Sequence, residues 1–178
     1  MKPLFLIGFM GCGKSTLGKA LGRVTTLQFI DLDKHIEARF HANIRDIFAT
    51  RGEETFRDIE RRMLREVGEF EDVVIACGGG TPCFHDNMDY MNSRGTTVWL
   101  DAGIDRTYTH LLAGRYKRPA IARLDDEGVM VFLQRSLRER HPFYSRAGST
   151  FDSSRPDNRA EIDNTVEKFI TAYSLSRK

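Results

Sequence analysis

The sequence predicts an α/β domain in which helices cover both faces of a parallel sheet. Short apolar runs recur along the chain, and the charged segments between them carry apolar residues at helical spacing. A glycine-rich loop follows the first apolar run. Apolar runs without polar alternation are typical of strands that are buried on both faces of a parallel sheet. The alternation of such strands with helices favours a doubly wound fold.

The predicted elements follow in chain order. The four clear strands and a weaker fifth lie at 4–7, 29–30, 73–76, 97–100 and 149–151. Helices are predicted over 14–24, 33–40, 53–70, 104–113, 126–140 and 161–175. The helix over 53–70 has the clearest pattern, because Phe56, Ile59 and Met63 recur at three- and four-residue spacing.

Length and charge limit the classes of function. A chain of 178 residues suits one domain, which we predict over residues 1–178. The net charge of +2 argues against a nucleic-acid partner. The apolar run at 4–7 is too short for a signal-peptide core or a membrane span. We therefore expect a cytoplasmic protein without nucleic-acid or membrane partners, and a monomer because no long exposed apolar stripe is evident.

The three cysteines are Cys12, Cys77 and Cys83. An odd number with irregular spacing is a poor basis for disulfides. Cys77 and Cys83 could form part of a zinc site with His85, but no fourth ligand follows at a familiar spacing. Reduced thiols in a reducing compartment are the favoured interpretation.

A phosphate-binding loop is the strongest signal in the sequence. Residues 8–16 read GFMGCGKST, which fits the G-x-x-x-x-G-K-[ST] pattern, and they lie between a predicted strand and a predicted helix. In such loops Lys14 would reach the β- and γ-phosphates and Ser15 would ligate Mg²⁺. The glycine spacing excludes a dinucleotide fingerprint, so ATP is favoured. The predicted nucleotide-binding residues here are Gly11, Cys12, Gly13, Lys14, Ser15 and Thr16.

Two carboxylates, Asp31 and Asp33, follow the second strand. Residues two apart on an extended segment point the same way, so both are expected to face the phosphate loop. One could hold the metal through its waters while the other meets an incoming hydroxyl group. The alternative is that the pair only caps the next helix.

Two arginines and a run of glycines are candidates for binding a small acidic molecule. Arg57 lies three residues before Glu60, which could fix its guanidinium, although an exposed ion pair is the alternative. The glycines at 78–80 permit close backbone approach of a ligand at the carboxyl edge of the sheet, unless they form a plain turn. Arg140 lies at a helix end, where Pro142 should stop the helix. The arginines form a carboxylate clamp only if the fold brings them together.

Arg118 lies in the irregular charged stretch that runs from Gly114 to Asp125. A mobile segment that carries an arginine could close over ATP, neutralise charge on the transferred phosphoryl group and exclude water. The alternative is a solvated basic loop.

An ordered set of motifs over residues 8–144 resembles the shikimate kinase family. In chain order these motifs are the phosphate loop, Asp-x-Asp, Gly-Glu-x-x-Phe-Arg-x-x-Glu, Gly-Gly-Gly, Arg-Pro and Arg-x-Pro-x-Tyr. The resemblance implies a three-layer P-loop kinase fold of the nucleoside-monophosphate-kinase type. Its features would be a five-stranded parallel sheet, a substrate-binding helical region at about 33–62 and a mobile lid at about 112–125. The implied reaction moves the γ-phosphoryl group of ATP to the 3-hydroxyl of shikimate, in the biosynthesis of chorismate and the aromatic amino acids.

The resemblance also implies roles for single residues. Asp33 would contact the ring hydroxyls and orient or deprotonate the 3-hydroxyl, and Lys14 and Arg118 would act at the phosphates. Ser15 and Asp31 would organise Mg²⁺. The shikimate-binding residues would be Asp33, Arg57, Gly79, Gly80 and Arg140, with the two arginines at the carboxylate.

Two departures from the family fall on the nucleotide side. Pro119 is followed by Ala-Ile, where the family usually has two leucines, and Leu111 stands where an arginine commonly packs on adenine. Arg115 could substitute for that arginine, and Arg155 could pack on adenine from a later loop.

Two other functions compete with this interpretation. A gluconate-type sugar-acid kinase would keep the phosphate loop but would leave the triple glycine and Arg140 as coincidences. A non-catalytic nucleotide-binding regulator would have no need of Lys14, Ser15, Asp31 and Asp33 together.

Overall fold

Strands and helices alternate in the computed structural model, which describes residues 1–118, 120–154 and 158–178. The strands are β1 (Leu4–Ile7), β2 (Gln28–Asp31), β3 (Val73–Ala76), β4 (Thr96–Asp101) and β5 (Ser149–Asp152). The helices are α1 (Lys14–Val24), α2 (Leu32–Phe40), α3 (Ile44–Gly68), α4 (Asn87–Arg94), α5 (Ile104–Ala113), α6 (Asp126–Tyr144) and α7 (Arg159–Ala172). Short 3-10 turns lie at Thr81–Cys83 and Arg115–Lys117.

The five strands form one parallel sheet in the order β2-β3-β1-β4-β5. The central strand β1 pairs with β3 on one side and β4 on the other, so Leu6 lies opposite both Ala76 and Val98. The connection from β1 runs to β2 on one side of the sheet, and the connection from the neighbouring β3 runs to β4 on the other side. The crevice beyond the carboxyl end of β1 is where open α/β sheets bind ligands. The predicted fold class is confirmed, and so are the five predicted strands.

Side chains of β1 alternate between two hydrophobic layers. Phe5 and Ile7 pack in the layer that contains residues of α2, α3 and α6, whereas Leu4 and Leu6 pack against residues of α1 and α7. Full burial of a side chain of this size contributes roughly 1.5–3 kcal/mol. The well-packed sheet therefore fixes the positions at which the loops leave its carboxyl edge.

The helices differ from their predicted bounds more than the strands do. α3 begins at Ile44, before the predicted start at 53, and Gly52 interrupts it with a φ of 76°. α4 has no counterpart in the prediction, because Met88 and Met91 are its buried apolar residues and they form no clear stripe. No helix among the described residues has the length and apolar character needed to cross a membrane.

The predicted stop at Pro142 is wrong, because α6 continues to Tyr144. Proline removes one N–H donor from a helix. Only two helical residues follow it, and the Ser145 N–H closes the last turn with a 2.9 Å bond to the His141 carbonyl. Arg140 therefore lies within the helix, one turn before its end.

Candidate active site

The phosphate loop joins β1 to α1 and contains three glycines with a left-handed backbone. Gly8, Gly11 and Gly13 have φ values of 138°, 85° and 98°, which L side chains rarely adopt. At Gly8 a Cβ would lie 2.6 Å from the Leu100 carbonyl oxygen of β4. Lys14 begins α1. Its Nζ donates to the Gly8 and Phe9 carbonyls at 2.9 Å, so the positive charge stays at the loop.

Two side chains from distant elements hold the phosphate loop from outside. The His110 Nδ1 of α5 lies 2.7 Å from the Gly11 carbonyl oxygen, and it must be the donor because a carbonyl only accepts. The Ser153 hydroxyl, just after β5, donates to the Cys12 carbonyl at 3.1 Å. These contacts fix the loop backbone on both sides of Cys12, which is itself buried.

Ser15 and Asp31 form the contact between the loop and the end of β2. The Ser15 hydroxyl donates to Asp31 Oδ2 at 2.7 Å, while Asp31 Oδ1 accepts the Lys34 N–H and caps α2. The Asp31 carboxylate can therefore cap α2 and still help to hold a metal ion. Mg²⁺ prefers oxygen ligands and commonly takes only one or two from the protein, so this pair fits that ion. The described residues contain no cluster of three or more His, Cys, Asp or Glu suited to a metal; the remaining ligands would come from phosphates and water.

Asp33 lies in the first turn of α2 and not on an extended segment, so the predicted alternation with Asp31 is wrong. The helix begins directly at the end of β2, and this brings Asp33 into the interior of the site. Burial and the nearby carboxylates of Glu60 and Asp31 raise the pKa of Asp33 to about 6, and Lys14 opposes this rise. Asp33 is therefore poised near neutral pH as a proton acceptor.

Arg57 on α3 is held from two sides. Its Nη1 donates to Glu60 at 2.9 Å, and Glu60 is 1% exposed. Glu60 also accepts a hydrogen bond from the Thr81 hydroxyl. The guanidinium carbon of Arg57 lies 3.8 Å from the centroid of the Phe84 ring. The predicted Arg57–Glu60 pair is therefore directional and partly buried, with Glu60 fully enclosed, and is not an exposed ion pair.

The glycines after β3 each lie against a different side chain of the site. A Cβ on Gly78 would lie 3.0 Å from Asp33 Oδ1. A Cβ on Gly79 would lie 3.2 Å from Arg140 Nη1, and a Cβ on Gly80 would lie 3.0 Å from Arg57 Nη1. Arg140 also lies over the Phe9 ring of the phosphate loop, 5.0 Å from its centroid. The three side chains therefore converge on one loop at the carboxyl edge of the sheet.

Arg118 lies beside the C-terminal end of α5. Its Nη1 donates to the His110 carbonyl at 3.2 Å. The guanidinium packs so closely on Gly114 that a Cβ there would lie 2.0 Å from Nη1. The His110 side chain also contacts the phosphate loop, so His110 connects Arg118 to that loop.

Comparison with known proteins agrees with this geometry. The shikimate kinase family model matches residues 10–171. The chain belongs to the shikimate kinase family. The predicted family and the predicted enzyme class, an ATP-dependent kinase, are confirmed.

Similar shikimate kinases cover nearly the whole chain. The enzyme from Parabacteroides distasonis is 49% identical over 96% of this chain and 100% of its own length. The crystal structure of the enzyme from Bacteroides thetaiotaomicron has a TM-score of 0.93 at 43% identity, covering 97% of this chain and 98% of that chain. The enzyme from Acinetobacter baumannii, solved in complex with shikimate, has a TM-score of 0.81 at 27% identity. The match covers 98% of this chain and 94% of that chain.

Two of the departures from the usual shikimate kinase pattern, Leu111 and Ile121, fall on core positions, whereas Ala120 is exposed. Leu111 and Ile121 are fully buried in the hydrophobic layer that also contains α3 and α6. Arg115 donates to Asp126 at 2.7 Å and to the Leu124 carbonyl at 3.2 Å, so it ties the predicted lid to the start of α6. The other predicted adenine contact, Arg155, lies outside the described residues. Both adenine assignments remain predictions.

Proposed function

We propose that this chain transfers the γ-phosphoryl group of ATP to the 3-hydroxyl of shikimate, giving 3-phosphoshikimate and ADP. The observation that carries the proposal is the contact of Gly78, Gly79 and Gly80 with Asp33, Arg140 and Arg57 respectively. One carboxylate and two guanidinium groups then surround a space without side chains. Such a space suits a small ring that carries hydroxyl groups on one side and a carboxylate on the other.

On the acceptor side, Arg57 and Arg140 would bind the shikimate carboxylate. Guanidinium groups bind carboxylates with charge-assisted hydrogen bonds. Glu60 and Phe84 hold Arg57 in place, so little conformational entropy is lost when it binds. The backbone of Gly79 and Gly80 would contact the same molecule. We infer that residues 33–62 form the acceptor-binding region.

On the nucleotide side, the residues of the phosphate loop, Gly11 to Thr16, would bind the phosphates of ATP. Lys14 would contact the transferred group. Arg118 would reach it when the segment at 112–125 closes, which also excludes water from the reaction. Mg²⁺, held through Ser15 and Asp31, would neutralise charge on the phosphate oxygens.

In the reaction, Asp33 would orient the 3-hydroxyl and accept its proton. The bond from that oxygen to the γ-phosphorus forms as the bond from the γ-phosphorus to the β-phosphate oxygen breaks. ADP leaves with those electrons. The protein contributes positioning and charge neutralisation, because the transfer needs little covalent chemistry from it. We also propose that the enzyme works as a cytoplasmic monomer.

Release of ADP by the purified chain, measured in a coupled assay, tests this proposal. Turnover that requires shikimate supports it, and ³¹P NMR of the product should place the phosphate on the 3-oxygen. Turnover that requires gluconate instead would favour a sugar-acid kinase. Binding of ATP without turnover on either substrate would favour a regulator.

A further inference from the structure

Tyr144 connects the end of α6 to the glycine loop after β3. It is fully buried, and its hydroxyl donates a 2.6 Å hydrogen bond to the Gly79 carbonyl oxygen. Arg140 lies one helical turn earlier and packs against the same glycine, with Nη1 3.2 Å from the position of a Cβ. α6 therefore contacts Gly79 at two points, one on its carbonyl oxygen and one beside its α-carbon.

The direction of this hydrogen bond is fixed by its surroundings. Burial raises the pKa of Tyr144 well above its usual value, and the nearby Arg140 only partly opposes that effect. The hydroxyl therefore keeps its proton and acts as the donor. The ring packs against Trp99 of β4, with centroids 5.9 Å apart, so the hydroxyl has little freedom to turn away from Gly79.

The Tyr144–Gly79 hydrogen bond lies beside a turn of α6 that lacks one backbone hydrogen bond. Pro142 has no N–H group, so it cannot bond to the Arg138 carbonyl as a regular helical residue would. Arg140 lies between these two positions. The side-chain hydrogen bond of Tyr144 holds this weakened turn against the glycine loop.

We propose that Tyr144 is a positioning residue for the acceptor site, whose hydroxyl sets the spacing between Arg140 and the glycine loop. This inference rests on the proposed function. Hydrogen bonds weaken steeply outside a narrow range of distance and angle, so Arg140 and the Gly79–Gly80 backbone can bind one carboxylic acid together only at a fixed separation. Because Tyr144 is fully buried, it would act through these groups and not by direct contact with the substrate.

The variant Tyr144→Phe tests the inference, because it keeps the ring and removes only the hydroxyl. We expect the KM for shikimate to rise about 5- to 10-fold, as for the loss of one hydrogen bond that leaves a carbonyl unsatisfied. The kcat should change by less than about threefold, and the KM for ATP should stay unchanged. A purely structural role would lower the melting temperature without this selective change in KM.

Tyr173→Phe is the matched control. The Tyr173 hydroxyl shares a 2.8 Å hydrogen bond with Ser149, which joins α7 to β5 away from the glycine loop. This variant should lose some stability and keep both KM values. An unchanged KM for shikimate in Tyr144→Phe, or an equal rise for both substrates, overturns the inference. Failure of the proposed function would be distinct, since the wild-type chain would then lack shikimate-dependent ADP release.

A double-mutant cycle with Arg140→Ala gives an independent measurement. If Tyr144 acts largely through Arg140, removing its hydroxyl in the Arg140→Ala background should raise the dissociation constant for shikimate by clearly less than in the wild type. Fully additive effects on shikimate binding would contradict the inference.

Discussion

The Ser15 hydroxyl and the Asp31 carboxylate are 2.7 Å apart, so the start of α1 and the end of β2 meet at the phosphate loop. Asp31 also caps α2 through its other oxygen. This capping bond fixes the orientation of the carboxylate. Under the proposed function, these two oxygens would be preorganised to hold Mg²⁺ at the position where the phosphates of ATP are expected.

Replacement of Ser15 by alanine should raise the Mg²⁺ concentration needed for half-maximal turnover. One of the two protein ligands is lost, whereas Asp31 keeps its capping bond and α2 stays formed. The measurement is a Mg²⁺ titration of the coupled assay at saturating ATP and shikimate. Ser93→Ala is the control, because Ser93 is an exposed residue of α4 whose hydroxyl donates to the Tyr90 carbonyl. An unchanged Mg²⁺ dependence would remove Ser15 from the metal site.

Asp33 should make turnover depend on pH with a midpoint near its pKa of about 6. The carboxylate accepts a proton only when it is ionised, so kcat/KM for shikimate, which reports groups of the enzyme without bound shikimate, should fall as the pH drops through about 6 and reach a plateau above it. Asp33→Asn should lower kcat/KM strongly and lose this dependence. The measurement is a pH profile of kcat/KM for shikimate. A profile that is flat between about pH 5 and pH 7.5 would contradict the role of Asp33 as the base.

Asp33→Asn should also stabilise the fold at neutral pH. The folded-state pKa is raised, so the ionised carboxylate destabilises the native state. This penalty grows as the pH rises above the ordinary value of 3.8 and is complete above about 6. The shift corresponds to at most about 3 kcal/mol. Thermal unfolding should show a higher melting temperature for the variant at about pH 7.5 and a smaller gain at about pH 4.5. The exposed Asp163→Asn should show no such pH-dependent gain.

Local patterns in the sequence predicted the sheet and the phosphate loop well. The loop depends on glycines that allow a left-handed backbone at Gly8, Gly11 and Gly13, and these occur within a few residues of each other. The buried strands are short apolar runs, which is also a local feature. The position of Asp33 was mispredicted because local spacing does not show that α2 begins directly at the end of β2.

The contacts that hold the site together could not be predicted, because they join residues far apart in the chain. Tyr144 reaches Gly79, and His110 and Ser153 reach the phosphate loop. His110 and Ser153 have the sequence patterns of ordinary helical or loop residues, and the Arg-x-Pro-x-Tyr motif contains Tyr144 without indicating its partner. Convergence of Arg57 and Arg140 was a hypothesis that depended on the order of the strands in the sheet, which brings the glycine loop beside the phosphate loop.

Arg118→Ala should lower kcat by about 10²- to 10³-fold, the usual effect of losing one donor that stabilises transition-state charge. Shikimate affinity should change little, since Arg118 lies beside α5 and the proposed acceptor residues Arg57 and Arg140 lie on α3 and α6. Steady-state kinetics and a binding titration measure the two effects. Arg123→Ala, an exposed arginine of the same segment, should retain full turnover. Wild-type turnover in Arg118→Ala would remove this residue from the mechanism.

Arg57→Ala and Arg140→Ala should each weaken shikimate binding by about 10- to 100-fold, the range expected for a lost charge-assisted hydrogen bond. Neither variant should change ATP binding. Isothermal titration with each ligand measures this. Arg135→Ala, which removes an arginine that is 79% exposed on α6, should bind shikimate normally. Unchanged shikimate affinity in both variants would contradict a carboxylate clamp.

The two variants should differ in stability. Arg57→Ala leaves the buried Glu60 without its cation, whereas Arg140 has no such buried partner among the described ion pairs. Loss of one partner of a buried pair is strongly destabilising, so Arg57→Ala should melt at a lower temperature than Arg140→Ala. Arg57→Lys should recover much of this stability but little of the shikimate affinity, because an ammonium group cannot bind a carboxylate in the bidentate geometry of a guanidinium. Equal recovery of both properties would mean that charge alone, without the geometry set by Glu60 and Phe84, determines binding at this position.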